Sequence, residues 1–276
     1  MEFISVTTRT WSIHPAYYAA IAINAAVLAL AWAWSGPDPA PLWSLLAEDR
    51  LVEWMQFLCF AVISVILGFV AVERARSAAP STLEVLGIAG LSLLVALAAL
   101  EEISWFQRVL GVESSEFFRQ NNRQAETNLH NLAMGSGSLH KTVLLKLIFI
   151  TGMLHNLVLP LLARSRPGIR RFVESIGLYL PPLPVALVYL VLVILSHVLI
   201  DHPRKGELGE MFGAVHYLAT VFAAYMVGIG YGRQRVFDNE ADCRRIVAIF
   251  QAFMVFLVCI AWLLAAGTVP PTGAPA

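Results

Sequence analysis

The sequence predicts an all-α, polytopic membrane protein with seven transmembrane helices and one external interfacial helix, forming a single domain over residues 1–276. Three observations predict it. Of the 276 residues, 58% are hydrophobic and only 14% charged, too few to cover the surface of a water-soluble domain of this size. Mean hydropathy is +0.69. Seven apolar runs, at about 16–34, 51–72, 83–103, 143–163, 179–200, 211–231 and 246–267, each approach the length a helix needs to cross the hydrocarbon.

The first run lacks a basic leader and an A-x-A-like cleavage site, so it reads as a retained anchor rather than a signal peptide. Trp32, Trp34, Trp43, Trp54, Tyr179 and Tyr231 fall near the proposed ends, where interfacial aromatics belong. The loops after the second, fourth and sixth runs carry Arg74, Arg76, Arg164, Arg166, Arg170, Arg171, Arg233, Arg235, Arg244 and Arg245. With Arg9 they hold eleven of the 19 basic residues, which places the N-terminus in the cytoplasm and the C-terminus outside a bacterial inner membrane. The two sides then carry net charges of +4 and −4. Formal net charge is zero and no basic tract is present, which gives no footing for nucleic acid. Cys59, Cys243 and Cys259 show no metal spacing and read as small hydrophobes.

No internal repeat or interdomain linker is visible, and the longest non-spanning segment covers about 104–142. Ser114 or Ser115 can cap a helix there, and SEFFRQNNRQAETNLHNLAM runs without Gly or Pro until Gly135. Phe117, Phe118, Leu129 and Leu132 give it a partial apolar face. A helix lying on the external mouth of the bundle is expected.

On this topology the ionisable residues gather at the external level. Glu53 starts the second helix in EDRLVEWMQF, and Glu101 and Glu102 end the third in ALEEISWFQRVLG. Glu126 and His130 are four apart and therefore share a helical face. His197 and Asp201 repeat that spacing with His202 adjacent, while Glu207 and Glu210 lead into the helix carrying His216. Carboxylates near hydrocarbon are costly unless they pair, hold a proton or bind metal. Glu and His repeated on several helices around a bundle is how carboxylate-bridged Fe or Mn sites and many Zn sites are built. The expected ligands of a divalent ion (Zn, Fe or Mn) are Glu101, Glu126, His130 and Glu207, with Glu102, Glu210 and His216 as catalytic groups. There is no strict pair of ExxH motifs and no HExxH. His216 lies six residues past Glu210, about 120° around the helix, so the two converge only if Gly209 or Gly213 bends it.

Plainer roles compete. Glu101 precedes Arg108 by seven residues, and Arg119, Arg123, Arg204 and Lys205 lie on the same side, so some acids are expected in salt bridges. His155, beside Asn156, reads as a hydrogen-bonded packing residue, and His14 and His140 as solvated groups at helix edges. Trp105 and Phe106 read as interfacial or core aromatics, and Asn121, Asn122, Asn128 and Asn131 as caps and polar contacts.

EDRLVEW, LEEISWFQRVLG and NNRQAETNLHNL, in that order, resemble a family of bacterial seven-helix integral membrane proteins marked by EEISWxQR and ExNLHN. The likeness covers about residues 48–132, and that family most often has Gly where this chain has Phe106. It implies a fold and no activity. A weaker likeness, seven helices with a Glu, Asn and His cluster, is to the membrane hydrolases that include alkaline ceramidases and progestin and adiponectin receptors. Those proteins pair Ser and Asp with a zinc held by three histidines, and their closing HxxxH is absent here.

The function expected from these features is a metal-dependent membrane enzyme working at the external face on a lipid or other amphipathic substrate, with membrane lipids as its surroundings. The alternatives are a proton-coupled transporter, set back by a nearly charge-free midplane, and a non-catalytic scaffold or assembly factor docking a partner through Phe117 and Phe118.

Overall fold

The computed structural model describes residues 12–267 except 231, 233, 234 and 238, and all their side chains except that of Lys141. Arg9, Arg233 and Tyr231, used above for orientation and anchoring, lie outside the described residues. The described chain is helical, with one two-stranded hairpin. Among the described residues, six stretches are long and apolar enough to cross a membrane: Pro15–Ala33, Ala40–Ala75, Thr82–Glu102, Thr142–Ser165, Gly206–Val227 and Glu240–Gly267. The helix Leu183–Leu199 is as apolar but shorter, at 17 residues.

In chain order the helices are α1 (Tyr18–Ala33), α2 (Ala40–Leu46), α3 (Leu51–Ala75), α4 (Thr82–Glu102), α5 (Gln107–Leu110) and α6 (Glu116–Asn121). Then follow α7 (Leu145–Met153), α8 (Leu159–Ser165), α9 (Pro167–Ser175), α10 (Leu183–Leu199), α11 (Gly206–Phe222) and α12 (Glu240–Gly267). Helix α11 is the core. Its span is 89% buried inside the protein against 39% or less for the others, and it packs against α1, α3 and α10. A helix that hydrocarbon scarcely touches is free to carry polar side chains, and α11 carries Glu207, Glu210, His216 and Tyr217.

Polar side chains fasten the bundle. Ser64 and Ser92 each donate a hydroxyl to the other's carbonyl, at 2.9 and 2.8 Å, locking α3 to α4. Asn24 of α1 donates to the Phe212 carbonyl of α11 at 3.0 Å, and Gln251 of α12 accepts from Ala19 N–H at 2.6 Å. Gly87 admits the Ile176 carbonyl so closely that a Cβ would sit 2.1 Å from its oxygen. Three π-helical stretches interrupt the ladders, at His140–Leu144, Leu154–Val158 and Ala223–Val227.

Two expectations are corrected. The segment 104–142 is not one helix: α5, α6, an irregular loop and a hairpin pairing β1 (Ala133–Met134) with β2 (Gly137–Ser138) occupy it. The asparagines are the reason. Asn122 Oδ1 accepts from the N–H groups of Gln124 and Glu126, and Asn128 Oδ1 from that of Asn131, giving the backbone a local alternative to the helix. The second correction concerns the anchors. Trp54 and Tyr179, each 4% exposed, face the interior, whereas Trp32 at 61% faces outward as an anchor should.

Candidate functional site

The ends of α3, α4 and α11 meet the 104–142 segment at one end of the bundle, where two separate acidic assemblies form. The first is centred on Arg108. Its Nε donates to Asp49 at 2.8 Å, its Nη2 to Glu53 at 2.9 Å and its Nη1 to Glu126 at 2.6 Å. The guanidinium offers a planar fork of donors, so one cation serves three carboxylates. Burial opposes its charge, but Glu53, Asp49 and Glu126 outweigh that and hold its proton more tightly than usual.

An unusual turn aims Arg108 there. Ser104, Trp105 and Phe106 follow α4 with φ of 46°, 56° and 60°, a left-handed turn costing roughly 1–2 kcal/mol per residue. Surrounding contacts maintain it. The buried Ser104 hydroxyl donates to Glu126 and accepts from Asn128 Nδ2 at 2.8 Å and Arg108 Nη1 at 3.1 Å. The Phe106 ring meets Phe57 edge-on at 5.4 Å. Phe106 thus holds a backbone conformation that favours glycine.

The second assembly is built from two imidazole–carboxylate pairs. Glu101 accepts from Trp105 Nε1 at 2.9 Å and from the N–H groups of Leu129 and His130 at 2.6 and 3.2 Å, tying the loop to the end of α4. His130 Nδ1 lies 3.5 Å from the same carboxylate. Its Nε2 accepts from the Asn131 amide at 3.0 Å, which puts the ring proton on Nδ1, facing Glu101. His140 donates through Nε2 to Glu210 at 3.1 Å, and the two imidazoles stand 6.0 Å apart. Among the described residues, Glu207 pairs only with a distant cation, Arg204 at 3.8 Å, which Glu48 holds more closely at 3.0 Å.

Glu102 completes this assembly. It feels the charges of Glu210, Glu207, Glu53 and Glu101, and no hydrogen bond or ion pair to it is seen among the described residues. The adjacent glutamates therefore divide their roles: Glu101 fastens the loop, and Glu102 faces the other acids. Like charges crowded at the hydrocarbon edge need neutralising by protons or a cation.

The seven expected site residues divide accordingly. Glu101, Glu102, His130, Glu207 and Glu210 share the second assembly. Glu126 does not join them, because its segment is not helical and its carboxylate is committed to Arg108. His216 also stays apart: α11 runs without a bend at Gly209 or Gly213, and the ring turns to Asn156 Oδ1 at 3.1 Å and stacks on Tyr189 at 4.5 Å. Arg108 pairs with Asp49, Glu53 and Glu126 rather than with Glu101. Among the described residues, no group of three His, Cys, Asp or Glu side chains is arranged to hold a metal ion.

His140, expected to be solvated, is instead a half-buried partner of Glu210. Asp49 was not singled out either, and its only signal was its place beside Arg50 and Glu53 in EDRLVEW. His197 contacts its own helix through the Val193 carbonyl, and Asp201 is exposed, so neither joins the site. His202 is buried against Trp43, ring to ring at 4.8 Å. His155 behaves as expected, donating to the Tyr179 carbonyl at 2.9 Å. No protein-family model, curated protein or solved structure matches this chain.

Proposed function

We propose that the assembly of Glu102, Glu207, Glu210, His130 and His140 is the working centre of a multi-pass membrane enzyme acting on a lipid or other amphipathic substrate at the membrane boundary. The observation that carries the reading is Glu102, a carboxylate among acids with no hydrogen-bond or ion-pair partner among the described residues, flanked by two oriented imidazole–carboxylate pairs. A general base needs a free lone pair. A general acid needs a proton held in place, which the Glu101–His130 and Glu210–His140 pairs supply. The excess of arginine at the opposite end supports a centre on the external side of an inner membrane. In the metal-dependent form of this reading, Glu102, Glu207 and Glu210 draw in around a divalent ion, since Glu126 is committed to Arg108.

The test uses detergent-purified protein in vesicles of total bacterial lipid extract, with products followed by mass spectrometry. New lipid products are expected from the wild type and not from Glu102→Gln or His140→Gln. Identical product profiles for wild type and Glu102→Gln would overturn the reading. Elemental analysis of the same samples separates its two forms: a stoichiometric Zn, Fe or Mn that Glu102→Gln removes supports the metal-dependent one. A second reading, proton-coupled transport, is favoured by one observation, the hydrogen-bonded His216, Asn156 and Tyr217 inside the bundle.

A further inference from the structure

The interior of the bundle holds more polar chemistry than packing requires. His216 is 4% exposed, on the most buried helix, six residues or about 9 Å below Glu210. Its Nε2 donates to Asn156 Oδ1 at 3.1 Å, and Asn156 Nδ2 donates in turn to the Tyr217 hydroxyl at 2.6 Å. Asn156 sits in the π-helical stretch Leu154–Val158, and His140, the partner of Glu210, begins the stretch His140–Leu144. Such stretches are rare and recur at functional sites. With Nε2 donating, the neutral ring presents its lone pair on Nδ1.

Two approaches reach this ring from opposite ends. From the acidic end, Tyr189 stacks on it at 4.5 Å with the planes 8° apart. The Tyr189 hydroxyl reaches the backbone of Gly213, where a Cβ would lie 3.2 Å from it, one turn below Glu210. From the other end comes a narrow cavity of about 10 Å³ bounded by His216, Tyr189, Asn24 and Tyr17, room for a single water. Tyr17 and Asn24 are 1% and 2% exposed; Asn24 Oδ1 has no hydrogen-bond partner among the described residues, and the Tyr17 hydroxyl has the Thr220 side chain beside it. An unpaired polar atom buried in a bundle is costly, and a water donating to Asn24 Oδ1 within reach of the Tyr17 hydroxyl offsets that cost. Tyr17 precedes α1 at the end of the bundle opposite the acids.

We propose that His216 is the midpoint of a proton path across the bundle, entered from Glu210 past Tyr189 and left through a water held by Asn24 and Tyr17. A proton arriving at Nδ1 makes the ring an imidazolium while Nε2–H still points at Asn156. Loss of the Nδ1 proton to the cavity water restores the neutral ring, so nothing is consumed. The proposal goes beyond the enzyme reading, because vesicles can pass protons whether or not lipid is turned over.

The test reconstitutes the full chain in liposomes containing a pH-sensitive dye, with potassium and valinomycin clamping the membrane potential. Wild-type vesicles are expected to dissipate an imposed pH gradient at least about tenfold faster than protein-free vesicles, and His216→Phe to remove most of that excess. Tyr17→Phe should reduce it, whereas His197→Phe, outside the path, should leave it unchanged. If His216→Phe fails to fold, Tyr17→Phe, which deletes a single hydroxyl, decides the matter alone. Wild-type vesicles no leakier than protein-free ones, or folded His216→Phe or Tyr17→Phe as conductive as wild type, would overturn the proposal.

Discussion

Arg108 and Glu126, 18 residues apart in the chain, form a 2.6 Å ion pair that fastens the long 104–142 segment to the end of the bundle. The same guanidinium holds Asp49 and Glu53, and the four side chains are between 12% and 20% exposed. Removing the cation strands three half-buried carboxylates. Arg108→Met is therefore expected to destabilise by about 3–5 kcal/mol, and Arg108→Lys to recover only part, since an ammonium cannot reproduce the fork. Thermal unfolding in detergent measures both, and a loss no larger than that of Arg119→Met, an exposed control, would count against this role for Arg108.

Ala125 is exposed with φ of 56°, a left-handed conformation that costs a Cβ-bearing residue roughly 1–2 kcal/mol. Ala125→Gly removes that cost with no packing to lose. A stabilisation of about 0.5–1 kcal/mol is expected after allowing for the greater freedom of Gly in the unfolded chain, and a lowered melting temperature would contradict it.

Glu101 and Glu102 should respond oppositely. Glu101 accepts from Trp105, Leu129 and His130, so Glu101→Ala leaves the loop's N–H groups unpaired and is expected to cost about 1–3 kcal/mol. Glu102→Gln replaces a carboxyl crowded by other acids with a neutral group of the same shape and is expected to leave the melting temperature unchanged or raised. Comparable losses in the two variants would show that Glu102 has a structural partner.

His202 carries a pH prediction. Burial, aided by the Arg204 cation, lowers its imidazole pKa below the ordinary value. The unfolded chain then binds this proton more readily than the folded one, so stability falls as pH drops through the unfolded value of about 6.5. The drop in melting temperature between roughly pH 7.5 and pH 5.5 should be smaller in His202→Asn than in the wild type, and an equal drop in both would refute it.

The sequence by itself determined the solvent of this protein and the level of its acids. Apolar runs long enough to cross hydrocarbon can do little else, because an unpaired backbone there is too costly for any structure but a helix. Carboxylates such as Glu102 and Glu207 are confined to the ends of those runs for the same reason. Partner choice was not legible, because it depends on which faces turn toward each other. The spacing of Glu126 and His130 suggested one helical face, but asparagine side chains diverted the backbone and sent the two residues to different partners. His140 looked solvated until the hairpin carried it to Glu210. His216 and Asn156 lie 60 residues apart, and only the burial of α11 at the centre of the bundle brings them into one hydrogen bond. Tertiary structure decided these pairings because a buried polar group must find its partner in space, and sequence spacing reports only neighbours on the same element.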